Sequence, residues 1–276
     1  MRALITGSDG QLGSAIIRQW PAGDAVPADL PDFDITDSRL TYERIGSAAV
    51  DVVIHAAALT NVDACARDPE LAFRVNAFGT QNVALACAAA NVPLVLISTN
   101  EVFAGTKAEP YLEFDSPGPI NPYARSKLAA EWYVQQLLNK FYIVRTAWMY
   151  SNSGRNFVHK IQQHAIEDQA LRVVTDEVGS PTYAEDLAAA LIKIVTTNQY
   201  GIYHLVNAGQ TSRFDFARKV LDLTGNAHIA IEPTTLADYE RASTPPPYSV
   251  LANTAAALLG IVMRSWEEAL EEFLKS

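Results

Sequence analysis

The chain has 276 residues, 49% of them hydrophobic and 19% charged, and a formal net charge of −10. That composition supports a sizeable core, as one large domain or a domain with a lobe, and its acidic balance argues against a basic nucleic-acid-binding face. No apolar run approaches the ~18 residues of a membrane span, and Met1 leads straight into a strand and a glycine turn rather than a signal peptide, so a cytoplasmic location is expected.

Strand-like and helix-like runs then alternate. Ala3–Thr6 reads as a short apolar strand, and Gln11–Trp20 as a helix with Leu12, Ala15, Ile16 and Trp20 on one face. Between them, Gly7-Ser8-Asp9-Gly10-Gln11-Leu12-Gly13 has the spacing Gly-x-x-Gly-x-x-Gly. Glycines there let phosphates approach the backbone, and the helix start offers N–H groups to a pyrophosphate. A strand before the turn and an amphipathic helix after it point to a bound dinucleotide.

The second strand is poorly marked. Residues 24–37 contain Asp29, Asp32, Asp34 and Asp37, and residues 19–38 contain no Lys or Arg. Asp29 lies 22 residues after Gly7, near where an acidic group meets the adenosine ribose. A 2′-phosphate calls for an arginine, so the sequence favours NADH over NADPH. Asp34 and Ile35 are expected cofactor contacts too. So are Ala56, Ala57 and Ala58, where the apolar strand Asp51–Ala57 ends.

Glu70–Ala90 reads as one long Ala-rich helix and Val92–Ser98 as a strand. It runs into Ser98-Thr99-Asn100-Glu101, which offers a hydroxyl for carbonyl chemistry and a carboxylate for proton removal. Asn121-Pro122 has the form of an N-cap with proline at the first helical position, opening a helix to about Lys140. In that helix Tyr123 and Lys127 share a face. A nearby ammonium stabilises phenolate, so the pair suits proton transfer to a carbonyl oxygen, with Thr99 hydrogen-bonding the same oxygen. Phe141–Thr146 is another strand. Continuous apolar strands between helices imply an α/β fold, a doubly wound parallel sheet of Rossmann type.

Beyond Thr146, Leu171–Thr175 and Ile202–Val206 read as strands around the helix Tyr183–Thr196. Ser212 caps a helix from Phe214 to Leu223. A Pro-rich loop at 243–249 precedes a last helix opened by Ser265, with Glu268 completing a capping box. The expected organisation is a dinucleotide-binding unit of residues 1–147 plus about 171–206. A small substrate lobe, about 148–170 and 207–276, lies over the carboxyl edge of the sheet. Cys65 and Cys87 read as reduced core thiols. The five histidines lack metal-ligand spacing, and there is no Gly-x-Ser-x-Gly elbow.

The ordered set "TGSDGQLG", "HAAALTNVDACARDPE", "VNAFGTQNVA", "ISTNEVFAG", "NPYARSKLAAE", "VRTAWMYS", "VVTDEVGSPTYAEDLA" and "YSVL" resembles the extended short-chain dehydrogenases/reductases. Its order and wording are most similar to the dTDP-4-dehydrorhamnose reductase family, over about residues 1–275. The resemblance implies an NAD(P)-binding Rossmann domain and reduction of the C4 ketone of a nucleotide-linked 4-keto-6-deoxy sugar, giving dTDP-L-rhamnose. It implies that Thr99, Tyr123 and Lys127 form the catalytic trio, that Tyr123 and Lys127 also meet the cofactor, and that Trp148 packs on the sugar. Thr60 and Val62 fall in the loop that meets cofactor and substrate, and Asn100 and Glu101 are placed at the substrate. Mg²⁺, which some members use with acidic residues, has no site identifiable in this sequence. A homodimer stays open.

Three positions depart from the family's pattern. Glu101 stands where a tyrosine is usual, Glu177 where a glutamine is usual, and Pro245-Pro246 where an Arg-Pro pair is expected. That arginine would help hold a diphosphate. A more acidic pocket than the family's is therefore expected. "Thr-Asn-Glu" locally resembles the nucleotide-sugar 4,6-dehydratases, whose glutamate moves a proton. Two alternatives stand beside the reductase reading: a dehydratase or epimerase using Glu101, and a non-catalytic regulatory protein like the β subunit of methionine adenosyltransferase.

Overall fold

A computed structural model describes residues 1–167 and 170–275. Its main sheet contains β1 (Ala3–Thr6), β2 (Ala25–Ala28), β3 (Val52–His55), β4 (Leu94–Thr99), β5 (Phe141–Thr146) and a sixth strand, Gly201–His204. The order is β2-β1-β3-β4-β5-sixth, every pairing parallel. Successive side chains alternate between the two faces. Ala3 and Ile5 join Val52, Ile54, Val95 and Val144 under α1 (Gln11–Gln19) and the helix Ala184–Val195. Leu4 joins Val53, Leu94, Leu96 and Ile143 on the other face, under α2 (Ser38–Ser47) and the helices Gly79–Ala90 and Pro122–Leu137. Burial on both faces is why these strands read as unbroken apolar runs.

β2 is an edge strand with Pro27 opposite Ile5. Proline is tolerated at an edge because its missing donor faces no neighbour. The segment read as one helix from Glu70 to Ala90 is three pieces: Pro69–Ala72, a π-helical turn Phe73–Phe78, and Gly79–Ala90.

A second core brings Tyr150, Val158, Ile161, Leu171 and Val173 against Phe216, Val220, Trp266 and Phe273. Leu171–Val174 was expected with the nucleotide-binding unit. It pairs instead with Ile231–Thr234, outside the main sheet, and sends Leu171 and Val173 into this second core. Ser265 and Glu268 form the expected capping box on Trp266–Phe273. The chain order reverses between β1 and β3, and a crevice opens there, at the carboxyl ends of the strands.

Candidate active site

The crevice is a cleft of about 880 Å³. Its wall includes Gly7, Gly10, Gln11, Leu12 and Gly13 after β1, and Asp29, Asp34 and Ile35 after β2. Ala56, Ala57, Ala58, Thr60 and Val62 follow β3, Thr99, Asn100 and Glu101 follow β4, and Trp148 follows β5. Tyr123 and Lys127 reach it from the helix Pro122–Leu137. Asp9 is exposed in the turn and touches the cleft wall through its backbone bond to Asp29.

Gly7 has φ +68°, and a Cβ on it would lie 2.6 Å from the Ala57 nitrogen. A Cβ on Gly13 would lie 2.1 Å from the Gly7 oxygen. Both glycines are therefore required by close backbone approach. Gly10 has no such collision with another strand, and no side chain caps the start of α1. The first N–H groups of that helix are left for an anion, which suits the pyrophosphate of NAD(H) or NADP(H).

Asp29 accepts the Asp9 and Leu30 N–H groups, each at 2.8 Å, which fixes its carboxylate at the end of β2. Asp34 accepts both the N–H and the hydroxyl of Thr36 at 2.8 Å, an Asx turn that places Ile35 in the wall. Behind the cleft, a directed chain locks the ends of β1 and β3. The Thr80 hydroxyl donates to the Asn76 carbonyl at 2.6 Å, so it must accept from His55 Nε2 at 3.0 Å. His55 Nδ1 is then the acceptor for the Thr6 hydroxyl at 2.7 Å. Burial and the charge of Lys127 hold His55 down at about 3, so the ring is neutral, as this chain requires.

The Thr99 hydroxyl lies 3.2 Å from Asn100 Oδ1 and accepts the Glu101 N–H at 3.2 Å. The Tyr123 hydroxyl lies beside the same threonine. Burial, and then the Glu101 carboxylate, push the Tyr123 phenol above its usual range, with Thr99 opposing the shift. The expectation that Lys127 lowers Tyr123 is therefore not met. Lys127 is buried, and its ammonium donates to the Ile97 carbonyl at 2.7 Å rather than to the phenol. One carbonyl leaves further Nζ donors for another partner.

Burial lowers Lys127 from 10.5 to about 8, with Glu131 opposing the shift. Between these values the unfolded chain binds a proton that the folded chain lacks, so this group's contribution to stability rises with pH from about 8 to 10.5. Urea unfolding at several pH values should show that rise, and Lys127→Met should flatten it. An unchanged slope in the variant would contradict the assignment.

Glu101 is half-buried, and its Oε2 accepts from Asn121 Nδ2 at 2.7 Å. Burial, helped by Glu177, raises its carboxyl above the usual range, while Asn121, Arg241 and Arg213 oppose the shift. Asn100, expected at the substrate, lines the cleft, but its amide donates to the Ser249 hydroxyl at 2.6 Å and pins the "YSVL" segment. Trp148 has φ +44°, a conformation costly for a bulky residue. Its indole packs so tightly on Gly179 that a Cβ there would fall 2.6 Å from Cε2. On the ring lies the Arg213 guanidinium, 3.5 Å from the centroid, and Arg213 Nε pairs with Glu177 at 3.0 Å.

The family model for the RmlD substrate binding domain matches residues 1–276. The chain belongs to that family. Among its relatives is the dTDP-4-dehydrorhamnose reductase of Mycolicibacterium smegmatis, 40% identical across 98% of this chain and 84% of that protein. A crystal structure of a dTDP-4-dehydrorhamnose reductase from Clostridium acetobutylicum superposes with a TM-score of 0.96 at 38% identity, covering 100% of this chain and 99% of the other. The Bacillus anthracis reductase, solved in complex with NADP, matches with a TM-score of 0.96 at 38% identity, over 99% and 98% of the two chains.

Set beside the RmlD pattern, the pocket is not as acidic as the substitutions imply. Glu177 is buried in an ion pair with Arg213, and Arg241 reaches the field of Glu101. Sequence reading missed Arg213, and also Arg74, Arg155, Asn156 and Thr146 in the wall. Arg213 left one signal. It is the first residue of the helix Arg213–Leu223, where a cation opposes the helix dipole. Thr146 Oγ1 is buried on the wall with no hydrogen-bond partner among the described residues, a polar atom suited to a bound group. Among the described residues no group of three or more His, Cys, Asp or Glu could hold a metal ion, and no helix is long and apolar enough to cross a membrane.

Proposed function

We propose that this protein is an NAD(P)H-dependent oxidoreductase that reduces the C4 ketone of a nucleotide-linked 4-keto-6-deoxy sugar, converting dTDP-4-dehydrorhamnose to dTDP-L-rhamnose. The reading is carried by the convergence of Thr99, Tyr123 and Lys127 on the cleft that begins at the glycine turn. Relatives named as this reductase, at 40% and 37% identity, support it. The dinucleotide rests on residues 1–147 with about 175–206, and the remaining chain meets the sugar nucleotide. The bound nicotinamide supplies hydride. Tyr123, held protonated by its burial, gives the proton to the C4 oxygen, and Thr99 orients that oxygen. Lys127, held by the Ile97 carbonyl, keeps donors for the nicotinamide ribose. Asp29, with no lysine or arginine in residues 19–38, favours NADH.

The test is turnover of dTDP-4-dehydrorhamnose with NADH and with NADPH, with dTDP-L-rhamnose identified as product. Cofactor binding without reduction of any 4-keto-6-deoxy nucleotide sugar would defeat the proposal. Glu101 takes the role of acceptor for a sugar hydroxyl. Glu101→Gln should raise KM by roughly 5- to 30-fold, about 1–2 kcal/mol, with kcat little changed. If that variant instead abolishes loss of water from a dTDP-hexose, the enzyme is a dehydratase.

A further inference from the structure

The guanidinium of Arg213 is anchored on three sides. Its Nε donates to Glu177 Oε1 at 3.0 Å, its Cζ lies over the Trp148 ring at 3.5 Å from the centroid, and the Phe157 ring centroid is 5.1 Å away. The carboxylate is buried and does not line the cleft, whereas Arg213 does. Among the described residues no acceptor takes Nη1 or Nη2. A largely buried fork of N–H donors has thus been fixed in orientation and left without a partner. It stands at a helix start, where the dipole disfavours it, so helix stability does not explain its presence.

The usual arginine before "YSVL" is replaced by Pro245. Pro246 and Pro247 crowd Gly105, a Cβ there falling 2.7 Å from Pro246 Cβ, so this loop carries no cation toward the cleft. Arg241, a little earlier, is paired with Asp63 at 3.4 Å. Arg155 is exposed, whereas Arg213 is largely buried.

We infer that Arg213 binds the diphosphate of the nucleotide-linked substrate through its two Nη groups, replacing the arginine that the Pro-rich loop lacks. The inference rests on the substrate class proposed above. A planar fork matches phosphate oxygens in a way that an ammonium does not. The anomeric phosphate is bonded directly to the sugar, so a cation on the residue assigned to the sugar, Trp148, is placed for it. Glu177 is then a positioning residue. It holds Nε and leaves the Nη edge to the ligand.

The test is calorimetric titration of dTDP and of thymidine into the NAD(P)⁺-loaded protein. Wild type, Arg213→Met, Arg213→Lys and Trp148→Phe are compared. Arg213→Met should weaken dTDP at least 10-fold and thymidine less than 2-fold, with Arg213→Lys in between. Trp148→Phe should retain most of the dTDP affinity. In turnover, Arg213→Met should raise KM with kcat within a few-fold. Equal weakening of dTDP and thymidine would mean that Arg213 only props the pocket, and the inference falls. It falls also if Arg213→Met binds dTDP within 2-fold of wild type. A wild type that binds NAD(P)⁺ but no dTDP would defeat the proposed substrate class itself, an outcome distinct from failure of Arg213 alone. Retained NAD(P)⁺ affinity in each variant shows that the protein has folded.

Discussion

Tyr123→Phe should lower turnover by more than about 10³-fold, over ~4 kcal/mol of barrier, with cofactor affinity within a few-fold of wild type. In the proposed reaction the phenol, beside Thr99 at the carboxyl end of β4, is the proton donor, and burial raises its pKa, so it is protonated at neutral pH. The Thr99 hydroxyl is a far weaker acid than the phenol. Cys65, buried nearby, is raised to about 11, and its thiol points to the Leu59 carbonyl at 3.6 Å. Glu101 is a second acid on the cleft wall, and burial raises its carboxyl above the usual range. Steady-state rates of Tyr123→Phe and of the double variant with Glu101→Gln separate the two. Near-wild-type turnover by the single variant would reject Tyr123 as the acid, and its loss in the double variant would pass the role to Glu101.

Glu131→Ala should cost about 3–5 kcal/mol of stability, the penalty of stranding a buried charge. Glu131 is fully buried and accepts from Arg145 Nη2 at 2.7 Å, Arg145 Nε at 3.0 Å and the Ser98 hydroxyl at 2.5 Å. Without it the guanidinium, on the interior strand β5 beside the sheet edge, keeps among the described residues the Glu113 carbonyl at 3.3 Å and the Phe103 ring at 5.1 Å. A fall in Tm on the order of 10 °C is expected. The effect should reach the cleft too, because Ser98 lies between Ile97, which holds Lys127, and Thr99. A loss below about 1 kcal/mol in denaturant unfolding would show that Arg145 finds another partner or that water enters. Glu131→Gln, which keeps part of the hydrogen bonding, should lose less.

The strands were legible wherever burial on both faces leaves an unbroken apolar run, as in Val52–His55 and Leu94–Thr99. The glycine turn was legible because Gly7 and Gly13 answer a steric demand that no other residue meets. β2 was faint because an edge strand has one neighbour and admits Pro27. Leu171–Val174 was recognised as a strand but assigned to the wrong layer, since local pattern reveals the conformation of a segment and not its distant partner, Ile231–Thr234. At the site, residues spaced along one element were readable, such as Tyr123 and Lys127. Arg213 was not, because its meaning comes from Trp148 and Glu177, far away in the chain. The influence of Lys127 on Tyr123 was overstated for the same reason: the Ile97 carbonyl that holds the ammonium is set by tertiary structure.

The π-helical turn at Phe73–Phe78 works as a phase shift. Each residue of an α-helix advances about 100°, so one surplus residue rotates all that follows by that angle. Upstream of the shift Leu71 lines the cleft, and downstream Val83, Ala84 and Cys87 look into the sheet. Asn76, within the turn, grips Leu59 and Ser126. A single amphipathic stripe could not serve both surfaces, so the irregularity lets one run of chain be the cavity's wall and then the core's lining. Removing one residue there would leave a better helix and a worse protein, with either the wall or the lining turned away from its place.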